Sequence, residues 1–382
     1  MSVCSIVNGH ISANGQRVRE FGINCSDLFQ DWRRGVQTTG SPVAYTPTAN
    51  YIAVFDFCVA NNVRFVRFLV TGYRTKTYRV GWLDAQATFL TNMDALVAAA
   101  EARGILLVPS IFFSQSTLPP RFSEPLRDYD NPASLSYAQI ATDITAIVGR
   151  YKNSPAIGYW EYGNESDARA TNPVTTPNYS VDTSMEMPAA WTVADGYLVK
   201  SLNNTDFSTI GSITKRFKDL CLVADPNALT CSGNQGWRYS AQNMRYDILD
   251  VLKKQLDDDG THTTSIHCYP TSGYHTIGAD GLSAYLKVVG GNFRAIGRPL
   301  IVGEFGFPAG TDVNGATSTA TLEKTMAEII SADIDIAMIW EYRAFSAQTD
   351  TYSISDGSTA TNEHLAVFLK YCQQYNLYPT AP

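Results

Sequence analysis

The sequence predicts a closed (β/α)8 TIM barrel, with an N-terminal β-hairpin plug and long loops after the third and fourth strands. Three observations carry this. Apolar strand-like runs alternate with helical segments eight times along 382 residues, the signature of parallel βαβ units. Polar residues concentrate just where those runs end, the end at which such barrels build their sites. The rival fold, an open doubly wound sheet, carries a glycine-rich phosphate turn after its first strand. Here that strand is followed by Cys25-Ser26-Asp27-Leu28-Phe29-Gln30.

The elements follow in order. Gly9 to Glu20 holds Asn14-Gly15 between alternating residues, a strong hairpin signal. Phe21–Asn24 is the first barrel strand, and Tyr51–Asn61 carries helical apolar spacing. Val63–Val70 is the second strand, followed by an alanine-rich helix, Asp84–Arg103, stopped by Gly104. Ile105–Phe113 and Leu135–Tyr151 form the third pair, and Ala156–Asn164 the fourth strand. After a polar stretch, Asp167 to Asp206, the reading continues with helix 210–224, strand 228–232, helix 241–256 and strand 264–269. Helix 282–296, strand 300–305, helix 318–332, strand 336–342 and helix 363–375 complete it. The alternation is unbroken, which predicts a single domain over residues 1–382. The polar stretches 114–134 and 167–206 then read as long loops on the active face.

Composition narrows the function. Apolar residues make up 45% and charged residues 17%, a globular balance. The net charge of −7, with no basic stripe, disfavours nucleic acid as a partner. The seven cysteines are widely spaced and lack a CxxC, so they read as buried apolar fillers. The five histidines form neither HxH nor HExxH, so no metal and no cofactor is expected. No apolar run reaches transmembrane length. The N-terminus lacks a charged start followed by an apolar stretch, so no signal peptide is read there. The 21 tyrosines and six tryptophans suit a cleft in which sugar faces stack on aromatic rings.

Glutamate is scarce, with eleven in the chain. Two stand at the ends of apolar runs: Glu165, after Trp160-Glu161-Tyr162-Gly163-Asn164, and Glu304, in Gly303-Glu304-Phe305-Gly306. Two carboxylates facing one pocket can cleave a glycosidic bond, one as acid/base and one as nucleophile. A nucleophile must stay ionised, and Arg67 in the second strand is a fitting cation partner. Tyr269 is a fitting hydrogen-bond donor to the same carboxylate. Asn164 offers an amide to a sugar hydroxyl, and Trp340 offers a stacking floor. Trp32 and Trp237 closely follow strands and are further candidates for sugar contact. His267 ends the sixth strand, where a lone histidine is more often a satisfied core residue. Glu161 shares strand parity with Glu165 and reads as a carboxylate turned into the barrel. A carbohydrate-binding barrel without turnover is the alternative reading.

Taken in order, these motifs resemble clan A retaining glycoside hydrolases, most nearly family 5, the cellulase family A group. The matching residues run from Asn14-Gly15-Gln16-Arg17-Val18 into Phe21-Gly22-Ile23-Asn24, then Val66-Arg67-Phe68. They continue through Trp160 to Glu165, His267-Cys268-Tyr269, Gly303-Glu304-Phe305-Gly306 and Trp340. The resemblance implies hydrolysis of a polysaccharide or oligosaccharide by double displacement, endo-acting, with β-glucan or β-mannan favoured and a bacterial surface polysaccharide as a further candidate. It implies Glu165 as acid/base and Glu304 as nucleophile, with Arg67, Asn164, His267, Tyr269 and Trp340 in support. Ser166 stands where family members often carry proline, and Phe112-Phe113-Ser114-Gln115 lacks their histidine, so the sugar stays open. Such a substrate implies work outside the producing cell, extracellular or after release, with cytoplasmic and virion-associated placements left open.

Overall fold

The computed structural model describes residues 4–26, 28–29, 50–70, 82, 86–112, 122, 124, 131–165, 207–234, 260–269, 281–312, 315–343, 352–355 and 358–377. Eight parallel strands form the barrel: β4 (Glu20–Asn24), β5 (Phe65–Leu69), β6 (Leu106–Phe112), β7 (Trp160–Gly163), β8 (Thr230–Cys231), β9 (Thr264–Cys268), β10 (Leu300–Phe305) and β11 (Ile336–Ile339). Their order, β8-β7-β6-β5-β4-β11-β10-β9, leaves β8 and β9 at the two edges. A parallel bridge between Cys231 and Thr263 joins those edges, with Thr263 N–H donating to Thr230 O at 2.9 Å. The barrel closes there. Helices 50–60, 86–101, 135–151, 207–224, 281–295, 318–331 and 359–375 lie between the strands in sequence.

Most elements match the sequence reading within a few residues, and three differences have physical causes. The N-terminal unit is a three-stranded antiparallel sheet, not one hairpin: β1 (Cys4–Val7), β2 (His10–Ala13) and β3 (Gln16–Arg17). Its additional turn is Asn8-Gly9, both with positive φ, which repeats the chemistry of Asn14-Gly15. The last strand ends at Ile339 because the regular ladder breaks there: Trp340 N–H still donates to Phe305 O of β10 and Tyr342 N–H to Asn24 O of β4, but between them Glu341 N–H turns to Tyr352 O. The last helix starts at Thr359, not Glu363, because the Ser358 hydroxyl caps it by accepting from Thr361 N–H. The predicted helix 241–256, the loop 167–206 and most of the loop 114–134 lie outside the described residues; of the latter, 122, 124 and 131–134 are described, and Ser134 caps the helix that follows.

The core has two parts. Outward-facing strand residues such as Phe21, Val66, Trp160 and Phe305 pack with the helices. Inward-facing residues at the strand starts, including Phe65, Leu106, Tyr159, Leu229, Ile301 and Ile336, pack with Ile11, Ala13 and Val18 of the small sheet. The sheet thus plugs the strand-start end with apolar side chains. Asp335 fixes it in place, accepting from Ile11 N–H at 2.8 Å and from Arg17 Nε at 2.7 Å. All seven cysteines are free and buried, as fillers would be. Native protein is therefore expected to show no reaction with Ellman's reagent, and the unfolded chain to titrate all seven thiols.

One carboxyl group interrupts the apolar base. Glu20 is fully buried and accepts backbone N–H bonds from Arg64 and Phe65. Burial outweighs those bonds and pushes it up to about 8. Between the usual carboxyl range and that value, the folded state holds a proton that the unfolded chain has released. Stability must then fall as pH rises through this window, with a slope approaching roughly 1.4 kcal/mol per pH unit. Urea melts from pH 5 to 8 should show the decline, and Glu20→Gln should flatten it.

Candidate active site

The polar cluster sits at the strand C-terminal ends, and Arg67 is its centre. Its side chain is fully buried and uses its donors in several directions. Nε donates to Glu161 Oε1 at 2.8 Å, and Nη2 approaches the same oxygen at 2.7 Å. Nη1 donates to Glu304 Oε1 at 2.7 Å and to Asn24 Oδ1 at 2.9 Å. Nη2 also donates to Asn164 Oδ1 at 2.8 Å. Burial alone would push the guanidinium down, but the charges of Glu161 and Glu304 overcome this and leave it raised.

Glu304 reaches this position through a strand irregularity. Along β10, Ile301 faces the barrel interior and Val302 the helices. Simple alternation would then turn Glu304 outward. The pairing of β10 with β9 shifts register between Val302 and Glu304, and Phe305 returns to the helix-facing core. The bulge turns Glu304 inward, to Arg67 and Tyr269. Tyr269 donates its hydroxyl to Glu304 Oε2 at 2.5 Å. Burial, then the Glu304 charge, raise that phenol well above its ordinary range, so it stays a donor.

Glu165 lies just beyond β7, with φ of 51°. Its N–H donates to Gly233 O at 2.8 Å, and its Oε1 lies 2.8 Å from His267 Nδ1. Gly233 is obligatory at this contact: its φ is +73°, and a Cβ there would lie 1.7 Å from Gly163 O. His267 is fully buried, and burial pushes its ring down to about 4, so it is neutral around pH 7. Its Nδ1 also lies 3.4 Å from Glu304 Oε2. One ligating atom from each of Glu165, His267 and Glu304 falls within 4.8 Å of the others. The two glutamates therefore share one small space.

The structure thus gathers Arg67, Asn164, Glu165, His267, Tyr269 and Glu304, all named from sequence. Trp340 is half-buried after β11, and its N–H donates to Phe305 O at 2.7 Å. Trp32 and Trp237 lie outside the described residues. Glu161 is part of the cluster as the second carboxylate on Arg67, as its strand parity suggested. Asn24 has a larger share than its place at the first strand end implied. Its amide nitrogen donates to Gly303 O at 3.0 Å and Met338 O at 3.2 Å, tying β4 to β10 and β11 while its oxygen accepts from Arg67.

A parallel barrel with a buried charge cluster at its strand C-termini defines the class of barrel enzymes. Comparisons with known proteins narrow this. The sequence profile of cellulase, glycosyl hydrolase family 5, matches residues 12–346. The chain belongs to that family and is a glycoside hydrolase. A comparison with curated protein sequences gives no match. Among solved structures, the endo-1,4-beta-mannanase from Rhizomucor miehei superposes with a TM-score of 0.69 at 14% identity, over 98% of this chain and 100% of that one. The endo-beta-1,4-mannanase from Thermotoga petrophila gives 0.66 at 15% identity, over 95% and 78%. A beta-glucanase from Saccharophagus degradans gives 0.63 at 15% identity, over 98% and 94%. At such identities the likeness is one of fold. No helix among the described residues is long and apolar enough to cross a membrane.

Removing Arg67 would leave Glu161 and Glu304 buried without their shared cation. Arg67→Ala is therefore expected to lower unfolding free energy by roughly 3–5 kcal/mol, measured by chemical denaturation at neutral pH.

Proposed function

We propose that the protein is a retaining, endo-acting β-glycosidase that cleaves a β-glucan or β-mannan by double displacement. The observation that carries this is the approach of Glu165 and Glu304 to within 4.8 Å. Retaining enzymes hold their two carboxyl groups about 5–5.5 Å apart, whereas inverting enzymes need room for a water between them.

The surroundings of the two carboxyls support unequal roles. Glu304 accepts from Arg67 and Tyr269, which fix the orientation of its carboxylate. It is the nucleophile, attacking the anomeric carbon to give a covalent glycosyl-enzyme. Glu165 is the acid/base. The neutral His267 ring suits both of its states. Nδ1 accepts from the carboxylic acid, and in the other tautomer Nδ1–H donates to the carboxylate. Glu165 first protonates the leaving oxygen. It then takes a proton from the water that attacks the glycosyl-enzyme, and Glu304 departs. Asn164, held by Arg67, lies beside the acid/base to bind a hydroxyl of the reacting sugar, and Trp340 provides a stacking surface. The mannanase and glucanase neighbours favour a β-1,4-linked glycan among family substrates. Such a polymer is met outside the producing cell, where the enzyme would act.

Glu304→Ala is expected to abolish turnover. Glu165→Ala is expected to lose roughly 10²–10⁴-fold on natural glycans, and to recover activity with azide on an aryl glycoside. Proton NMR of the first-formed sugar should show the β-anomer. An α-anomer, or full activity in either variant, would overturn the assignment. Mass spectrometry of early products from β-mannan and β-glucan tests endo action, which predicts a spread of oligosaccharides and not a single small sugar.

A further inference from the structure

We propose that Tyr352 is a positioning residue for the reaction at Glu304, held against Tyr269 by a brace centred on the buried carboxylate of Glu341. The inference rests on Glu304 being the nucleophile, and it concerns the segment that follows β11.

The brace is built after β11. Glu341 is fully buried. Its Oε2 accepts from Ser26 Oγ at 2.5 Å, and its Oε1 pairs with Arg343. Its backbone holds the segment 352–355 in both directions: Glu341 N–H donates to Tyr352 O at 3.2 Å, and Ile354 N–H to Glu341 O at 3.0 Å. Ser355 Oγ accepts from Arg343 N–H at 2.8 Å and lies 3.1 Å from Arg343 O. Ser353 and Ile354 are buried under this ladder. On the other side, Tyr342 N–H donates to Asn24 O at 2.9 Å, and the Tyr342 ring stacks on Phe57 at 4.5 Å. The segment is thus clamped to the first strand of the barrel.

What the clamp presents is Tyr352. Its ring meets Tyr269 at 5.8 Å and 89°, an edge-to-face contact. Tyr269 in turn donates to Glu304 Oε2. A phenol that donates through a single hydroxyl needs its ring angle held, because hydrogen bonds weaken steeply off axis. Tyr352 packs against that ring, and Glu341 fixes Tyr352. A loop aromatic that merely filled space would stabilise the fold without any link to Glu304.

The test uses a 2,4-dinitrophenyl β-glycoside of the active sugar, whose leaving group needs no proton, so that kcat/KM reports attack by Glu304. Tyr352→Leu is expected to lower kcat/KM roughly 10- to 100-fold, and to move its acid limb to higher pH. Tyr352→Phe, which keeps the ring, should restore both. In a Tyr269→Phe background, Tyr352→Leu should have no further effect, since its action runs through the Tyr269 hydroxyl. Glu341→Gln loosens the brace from its other end and should show the same dependence on Tyr269, which keeps the inference testable if Tyr352→Leu does not fold. A lower melting temperature with an unchanged pH profile, or additive effects of the Tyr352 and Tyr269 changes, would overturn it. Loss of the Glu304 reading would look different: a wild-type enzyme that yields the inverted anomer, or a Glu304→Ala variant that still turns over.

Discussion

The active face depends on burying one guanidinium between two carboxylates. Arg67 lies on β5 with its charge out of water, a state that is tolerable only when every donor finds an acceptor. Glu161 from β7, Glu304 from β10, Asn24 from β4 and Asn164 after β7 supply those acceptors. Three other segments of the barrel wall, β4, β7 and β10, therefore converge on one side chain of β5. A fork of fixed geometry sets angles as well as distances, so the ends of these strands can take up few other relative positions. The orientation of Glu304 follows from that constraint as much as from its own strand.

The two ends of the barrel divide the labour. At the strand starts, Phe65, Leu106, Ile301 and Ile336 meet the small N-terminal sheet in an apolar layer. That layer excludes water from beneath the charge cluster and lowers the dielectric in which Arg67, Glu161 and Glu304 interact. The sheet is therefore more than a lid. Its attachment to Asp335, the residue just before β11, couples the plug to the strand that leads to Trp340.

Much of this was legible from residue order alone, because periodicity reports burial and the parallel barrel puts function at one end. Glu304, Glu165, Arg67, Asn164, His267 and Tyr269 stand at or near strand ends where the rules of the fold look first. The bulge in β10 was not legible, since alternation from Ile301 predicts the wrong face for Glu304. Gly303 just before it was the available signal, for a glycine inside a strand often marks such an irregularity. The Glu341–Ser26–Arg343 cluster was hidden for another reason. Its members lie at opposite ends of the chain, 315 residues apart for Ser26 and Glu341, and nothing local in either segment encodes the pairing. Asn8-Gly9 carried a turn signal as strong as Asn14-Gly15, but Cys4–Val7 is too short to announce the strand before it.

The anchoring of the two glutamates differs in a way that fits the different tasks proposed for them. Glu304 sits on a strand, 4% exposed, and is held by the side chains of Arg67 and Tyr269. A group that forms and breaks a covalent bond at carbon gains from such fixity, because small misplacements are costly when orbitals must align. Glu165 stands just past its strand on a left-handed residue, with its side chain 27% exposed and hydrogen-bonded to a neutral imidazole. A group that passes a proton first to a leaving oxygen and then takes one from water must face solvent and tolerate both protonation states. The backbone bond to Gly233 O holds its position, and the bond to His267 orients its carboxyl. The same barrel end thus supplies one enclosed carboxylate and one partly exposed carboxyl, and the difference arises from where each falls relative to the end of its strand.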